Sequence, residues 1–284
     1  MSEIKRVGVI GAGTMGNGIA QVCAMAGLQA VMVDVSATAV SRGLSSVTGS
    51  LDRLLKKEKL TAADKDAALE RIEGTTDYDA LKPCDLIIEA ATENEHLKVE
   101  ILKRVDALAR PGVILATNTS SISITRLAAA TSRADKVVGM HFFNPVPVMS
   151  LVEVIRGLLT DDATVATAEA LAKRLGKTTI VVKNSPGFVV NRILCPMINE
   201  AVFALQEGLA SAEDIDNGMK LGCSHQIGPL ALADMVGLDV MLAVMEVFHR
   251  DFNDPKYRPA LLLKEMVAAG HLGRKSGRGF YVYP

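Results

Sequence analysis

Two groups of residues in the 284-residue chain have the types and spacing to do chemistry. The first is Gly11-Ala12-Gly13-Thr14-Met15-Gly16, a G-x-G-x-x-G hexapeptide, with Asp34 about 20 residues beyond the turn. Glycine-rich turns are common, so the hexapeptide alone says little. Its context says more: the apolar run Arg6–Ile10 precedes it, a helical pattern opened by Thr14 follows, and Ala30–Val33 leads directly into Asp34. In that setting Gly11 makes the tight turn, Gly13 lets backbone approach a pyrophosphate, and Gly16 permits close helix–strand packing. The helix N-terminus offers N–H donors and partial positive charge to phosphates, and Asp34 is placed to accept hydrogen bonds from an adenosine ribose. A carboxylate there repels a 2′-phosphate, and Val35-Ser36-Ala37 supplies no arginine to offset the repulsion. The cofactor expected is therefore NAD rather than NADP.

The second group is His141, within His141-Phe142-Phe143-Asn144-Pro145, and Glu153, within the apolar run Leu151-Val152-Glu153-Val154-Ile155. His141 follows a predicted strand, at the carboxyl end where ligands bind in open α/β sheets. A carboxylate inside an apolar strand is costly without a partner. A histidine–carboxylate pair orients the imidazole and stabilises its protonated form, which suits general acid–base work. Spacing alone leaves a second possibility open, a core histidine beside a polar neighbour.

The elements that must carry these residues follow from periodicity. Strands are predicted at 6–10, 30–33, 86–88, 113–115, 137–140, 151–155 and 180–182, with helices at 97–109 and 163–175 between them. Such alternation predicts an α/β Rossmann-type fold, a doubly wound and mostly parallel sheet covered on both faces. The pattern changes at Lys183-Asn184-Ser185-Pro186-Gly187. Beyond it lie apolar-periodic segments at 188–207, 212–221, 230–252 and 261–269, a possible capping box from Ser211 to Asp214, and one short predicted strand at 280–283. The expected division is a nucleotide-binding domain at 1–185 and an all-α C-terminal domain at 186–284, the latter for substrate binding and dimerisation.

Composition removes other classes. Lysine plus arginine (31) nearly cancels aspartate plus glutamate (32), so no global field attracts a polyanion. Aromatics are 4% and tryptophan is absent, which removes the stacking platforms of single-strand binders. No nucleic-acid partner is expected. The four cysteines have no metal-ligand or disulfide spacing, so no metal is expected and a reducing cytoplasm fits. The uncharged stretch from Val7 to Val33 contains Gly8, Gly11, Gly13, Gly16, Gly18 and Gly27; it reads as strand, turn, helix and strand rather than a membrane span.

Several motifs in a fixed order carry a resemblance. They are Gly11 to Gly16 with Asp34, Asn118-Thr119-Ser120-Ser121, His141 to Pro145 with Pro147-Val148-Met149, Glu153, Asn184 to Phe188, Asn191-Arg192, and Leu272 to Tyr281. With these the chain resembles the L-3-hydroxyacyl-CoA dehydrogenases, most closely the bacterial 3-hydroxybutyryl-CoA dehydrogenases, over essentially its whole length. The resemblance implies reversible oxidation of the (S)-3-hydroxyl of an acyl-CoA, with hydride passing to NAD. It implies that His141 takes the hydroxyl proton with Glu153 as partner, and that Ser120 and Asn191 hydrogen-bond the reacting part of the substrate. Glu93, Lys98, Asn118, Ser120, Asn144 and Lys275 would line the cofactor site, and the protein would be a homodimer.

The segment Ser50 to Lys59 admits two readings. Arg53, Lys56 and Lys57 share a helix face at i, i+3 and i+4, which suits either coenzyme A phosphates or a solvated charged surface. The resemblance places Ser50 and Lys57 at coenzyme A. His96, His225, His249 and His271 are assigned nothing. Two other functions share the nucleotide fold: a dehydrogenase of free β-hydroxy acids, which would use a catalytic lysine, and an NAD-binding structural or redox-sensing protein without turnover.

Overall fold

In the computed structural model, which describes residues 3–284, the chain divides after Ser185 into two units. The first holds eight strands: β1 (Arg6–Ile10), β2 (Gln29–Val33), β3 (Ile72–Thr75), β4 (Leu86–Glu89), β5 (Ile114–Thr117), β6 (Val137–Phe142), β7 (Leu151–Arg156) and β8 (Thr178–Lys183). They form one sheet in the order β3-β2-β1-β4-β5-β6-β7-β8. Neighbours run parallel except β6 and β7, which are antiparallel. β4, β5 and β6 are buried along their whole length, the pattern of strands covered on both faces. The core joins Val7, Val9, Ile88 and Val138 of the sheet to Ile19 and Val22 of α1 (Thr14–Met25) and to Ala168 and Leu171 of α6 (Asp162–Arg174).

The other helices of this unit are α2 (Ala37–Lys56), α3 (Ala62–Glu70), α4 (Glu95–Leu108) and α5 (Ile124–Ala129). α2 to α6 begin at Ser36, Thr61, Asn94, Ser123 and Asp161, whose side chains each accept the backbone N–H three residues on. That bond satisfies one of the donors a helix start leaves orphaned. α1 differs. Its first turn is preceded by Gly13, no side chain caps it, and Thr14, expected to open the helix as its cap, is already helical.

The second unit contains α7 (Val190–Gln206), α8 (Ala212–Gly222), α9 (Pro229–Val236), α10 (Leu238–Phe252) and α11 (Leu261–Ala268). Its core gathers Ile198 and Val202 with Leu230, Met241, Met245, Phe248 and Leu263. Ser211 accepts the Asp214 N–H, as its spacing suggested. The predicted helical segment 230–252 is two helices, because Gly237 sits at φ +106, outside the helical region. The predicted strand at 280–283 is not a strand but an irregular segment with isolated bridges. Two buried carboxylates pin it: Asp234 accepts from the N–H groups of Phe280 and Tyr281 (3.0 Å each), and Asp216 accepts from the Tyr281 hydroxyl (2.8 Å). Among the described residues no helix is long and apolar enough to cross a membrane; the uncharged stretch 7–33 is shared among β1, α1 and β2.

Candidate active site

The sheet order reverses direction at β1, whose neighbours are β2 and β4. Ligands of open α/β sheets bind outside the strand ends at such a switch point. The glycine hexapeptide stands there. Gly11 has φ +104, and a Cβ on it would lie 2.6 Å from the Ala90 carbonyl oxygen. A Cβ on Gly16 would lie 1.8 Å from the Gly11 carbonyl oxygen, so the turn closes only without side chains at both positions. Gly13 is the opposite case, since a Cβ there would meet no protein atom within 4 Å. Asp34, at the end of β2, accepts the Ala12 N–H at 2.8 Å and the Ser36 N–H at 3.4 Å. Its carboxylate therefore holds the glycine turn as well as flanking the site.

Beyond β4 and β5 lies a polar network. Glu93 Oε1 accepts from the Thr119 hydroxyl (2.5 Å), the Ser120 N–H (2.9 Å) and hydroxyl (3.3 Å), and the Ser121 N–H (3.1 Å) and hydroxyl (3.0 Å). Partial desolvation pushes the Glu93 carboxyl up, but the Lys98 ammonium and these donors outweigh it and hold the carboxyl below the ordinary glutamate range. Lys98, on α4, is buried; its ammonium donates to both oxygens of Glu89 and to the Ala91 carbonyl, with Glu93 Oε2 at 3.5 Å. Glu89 escaped sequence analysis because it sits at the end of an apolar strand. The available signal was a carboxylate at a buried strand end followed nine residues later by lysine.

The antiparallel step between β6 and β7 creates the second cluster. Its register pairs His141 directly with Glu153, and the side chains meet at 2.7 Å between Nδ1 and Oε2. Glu153 is 0% exposed. When Glu153 Oε2 accepts from the ring, Nδ1 is the donor and Nε2 the acceptor nitrogen of the neutral imidazole. The Phe143 ring lies 4.4 Å from the imidazole, centroid to centroid, and limits its rotation. Asn118, just after β5, accepts the Phe142 N–H at 2.9 Å and so ties the end of β6 to the Asn118–Ser121 segment. The β6–β7 connection is held by Lys177, whose buried ammonium donates to the carbonyls of Val146 (2.5 Å) and Met149 (2.8 Å). Burial pushes that ammonium below the ordinary lysine range. Asn144 lies exposed in the same connection.

Other expected residues belong to other elements. Ser50, Arg53 and Lys56 are on α2, and Lys57 caps its C-terminus. Asp52 is taken up by Lys65 of α3 at 2.6 Å, leaving Arg53, Lys56 and Lys57 exposed. Asn191 is the second residue of α7, and the Lys275 ammonium pairs with Asp239 at the start of α10 (2.5 and 2.7 Å).

The family model described as 3-hydroxyacyl-CoA dehydrogenase, NAD binding domain, matches residues 6–185, and that of the same enzyme's C-terminal domain matches 187–283. The chain belongs to the 3-hydroxyacyl-CoA dehydrogenase family. Its activity is that of an NAD-dependent 3-hydroxyacyl-CoA dehydrogenase. Full-length relatives agree. A 3-hydroxybutyryl-CoA dehydrogenase of Bradyrhizobium diazoefficiens is 51% identical over 99% of this chain and 96% of that protein. The mitochondrial hydroxyacyl-coenzyme A dehydrogenase of Homo sapiens is 42% identical over 99% of this chain and 91% of its own. The crystal structure of (S)-3-hydroxybutyryl-CoA dehydrogenase from Ralstonia eutropha superposes with a TM-score of 0.97 at 69% identity, covering 99% of this chain and all of that one. The residues present fit the family's dinucleotide: the helix start lacking a side-chain cap, the open space at Gly13 and the Asp34 carboxylate are what its pyrophosphate and ribose require.

Proposed function

We propose that the chain interconverts (S)-3-hydroxybutyryl-CoA and acetoacetyl-CoA, with His141 as the proton-transfer group and Glu153 as its partner. The observation that carries this reading is the direct cross-strand pairing of His141 with Glu153 at 2.7 Å. NAD supplies the hydride acceptor when bound. In the oxidising direction His141 Nε2 takes the proton of the 3-hydroxyl, and the buried Glu153 carboxylate stabilises the imidazolium that forms. In the reducing direction the same nitrogen returns the proton to the ketone oxygen. Ser120 and Asn191 hydrogen-bond the reacting oxygens.

The Gly11–Gly16 backbone receives the pyrophosphate and Asp34 the adenosine ribose. Glu93, Lys98, Asn118, Ser120, Asn144 and Lys275 form the rest of the cofactor site, Lys98 through its contact with Glu93. Ser50, Arg53, Lys56 and Lys57 receive the coenzyme A phosphates. The unit 186–284 serves substrate binding and pairing of two copies. Support for pairing comes from an apolar groove on α7 and α8, lined by Met197, Ala201, Ala204, Ile215 and Met219, beside an exposed Leu209. Symmetric two-fold pairing is the commonest way to cover such a surface, and light scattering that finds only the 30.2 kDa chain would exclude it. Cys23, Cys84, Cys195 and Cys223 are unpaired, which fits a reducing cytoplasm.

NADH oxidation by the purified protein with acetoacetyl-CoA tests the reading. Turnover supports it. Activity confined to free β-ketoacids, or NADH binding without turnover, would replace it with one of the other two functions considered for this fold.

A further inference from the structure

Glu89 has no part in the mechanism above, yet it is a carboxylate with 0% exposure at the switch point of the sheet. In the ladder it pairs with Ile10 on one side and Thr117 on the other. Both are the last strand residues before segments that carry the site, Gly11–Gly16 and Asn118–Ser121. Oε1 accepts from the Ala91 N–H (2.7 Å) and Lys98 (2.8 Å), and Oε2 accepts from Lys98 (2.9 Å) and the Thr117 hydroxyl (2.7 Å). The Glu89 backbone carbonyl accepts the Asn118 N–H at 2.7 Å. One side chain thus joins the turn after β4, the first turns of α4 and the end of β5.

Charge gives the arrangement its purpose. Lys98 is 1% exposed, and a buried ammonium needs a counter-charge. Two carboxylates are in reach: Glu89 with two contacts below 3 Å, and Glu93 with one at 3.5 Å. Glu93 faces the ammonium through Oε2 and keeps Oε1 turned toward Thr119, Ser120 and Ser121. We propose that Glu89 is a positioning residue for the reaction: it occupies Lys98 and so leaves Glu93 to order the Thr119–Ser121 segment and the Ser120 hydroxyl. This rests on the reading above that Glu93 and Ser120 serve cofactor and substrate.

Three variants of the full chain test it: E89Q, K98M and the double variant E89Q/K98M. Each is assayed below its own melting transition for NADH affinity and for acetoacetyl-CoA reduction. NADH binding needs no acyl substrate, so a wrong substrate assignment is told apart from failure of this inference. E89Q keeps the side chain's shape but leaves Lys98 to pull on Glu93. Folded E89Q is expected to bind NADH more weakly and to lose kcat, by about 10- to 100-fold as for small misplacements of reacting groups, with a smaller change in KM for acetoacetyl-CoA. Adding K98M is expected to raise kcat above that of E89Q, since no ammonium then competes for Glu93. Folded E89Q with wild-type NADH affinity and kcat would overturn the proposal, as would a double variant no faster than E89Q. If E89Q does not fold, the comparison passes to K98M, which leaves Glu89 uncompensated. A double variant faster than K98M then supports the proposal, and one no faster overturns it.

Discussion

Replacing Glu153 by glutamine isolates the charge of the dyad, because the amide preserves size and can still accept the Nδ1–H bond. A hydrogen bond to a charged group contributes about 1.5–3 kcal/mol against about 0.5–1.5 for a neutral one, a difference of about 1 to 2. Coulomb attraction between unit charges about 4 Å apart at an effective dielectric of about 20 is about 4 kcal/mol. Glu153 is 0% exposed and within 2.7 Å of the ring, which favours the upper part of that range. Since about 1.4 kcal/mol is tenfold in rate, oxidation of 3-hydroxybutyryl-CoA is expected to fall by about 5-fold at least and about 10³-fold at most.

The directions separate. Oxidation forms imidazolium in the transition state and loses its stabilisation, so its maximal rate drops while its acid limb extends to lower pH. Reduction begins from imidazolium, whose protonation is now less favourable. Its maximal rate suffers less, but it fails at a lower pH than in the wild type. The assay is the pH dependence of kcat in both directions, followed through NADH. Wild-type rates and unmoved limbs in both directions would reduce Glu153 to a satisfied core carboxylate.

Asp34→Ala removes both the ribose acceptor and the 2.8 Å bond to the Ala12 N–H, so kcat/KM for NADH is expected to fall about tenfold or more relative to that for NADPH; an unchanged ratio would place the ribose elsewhere. Lys57→Ala is expected to raise KM for acetoacetyl-CoA at low salt with kcat kept, the difference shrinking in high salt; a normal KM at low salt would leave α2 with a merely solvated charged surface. For acid stability the informative residue is Asp161, which caps α6 and whose carboxyl the Lys136 ion pair and Thr164 hold at about 2. A carboxyl lowered on folding contributes stability above its ordinary range near 3.8 and loses it as pH falls toward about 2. Asp161→Asn is expected to lower Tm near neutrality, with the difference closing by about pH 2 in circular-dichroism melts; a constant difference would show that the charge contributes nothing.

Much of the fold was legible because its central strands are continuous apolar runs and its helices carry period and caps. β3 was missed for a physical reason. Ile72-Glu73-Gly74-Thr75 lies at the sheet edge, is largely half-exposed, and owes its conformation to pairing with β2 rather than to its own residues. The break at Gly237 was hidden because apolar spacing continues across it, while the +106° φ is a backbone property that spacing does not report. Tyr281 and Tyr283 resemble strand residues, but their ends are spent on Asp216 and Asp234. Around the candidate site, local geometry was readable where it depends on sequence neighbours, as in the turn that Gly11 and Gly16 close. Long-range polar bonds were not: Glu93 to Ser120 spans 27 residues, and Glu89 to Thr117 spans 28.

The reversal of chain direction between β6 and β7 has an evolutionary consequence. Side chains alternate faces along a strand, so a one-residue slip of β7 would carry Glu153 to the far side of the sheet. With six residues of β7 in register with β8 to fix that strand, the distance between His141 and Glu153 is a property of the ladder. The outlying loops do not set it. Substitutions in those loops can accumulate while the pairing of His141 with Glu153 keeps its register.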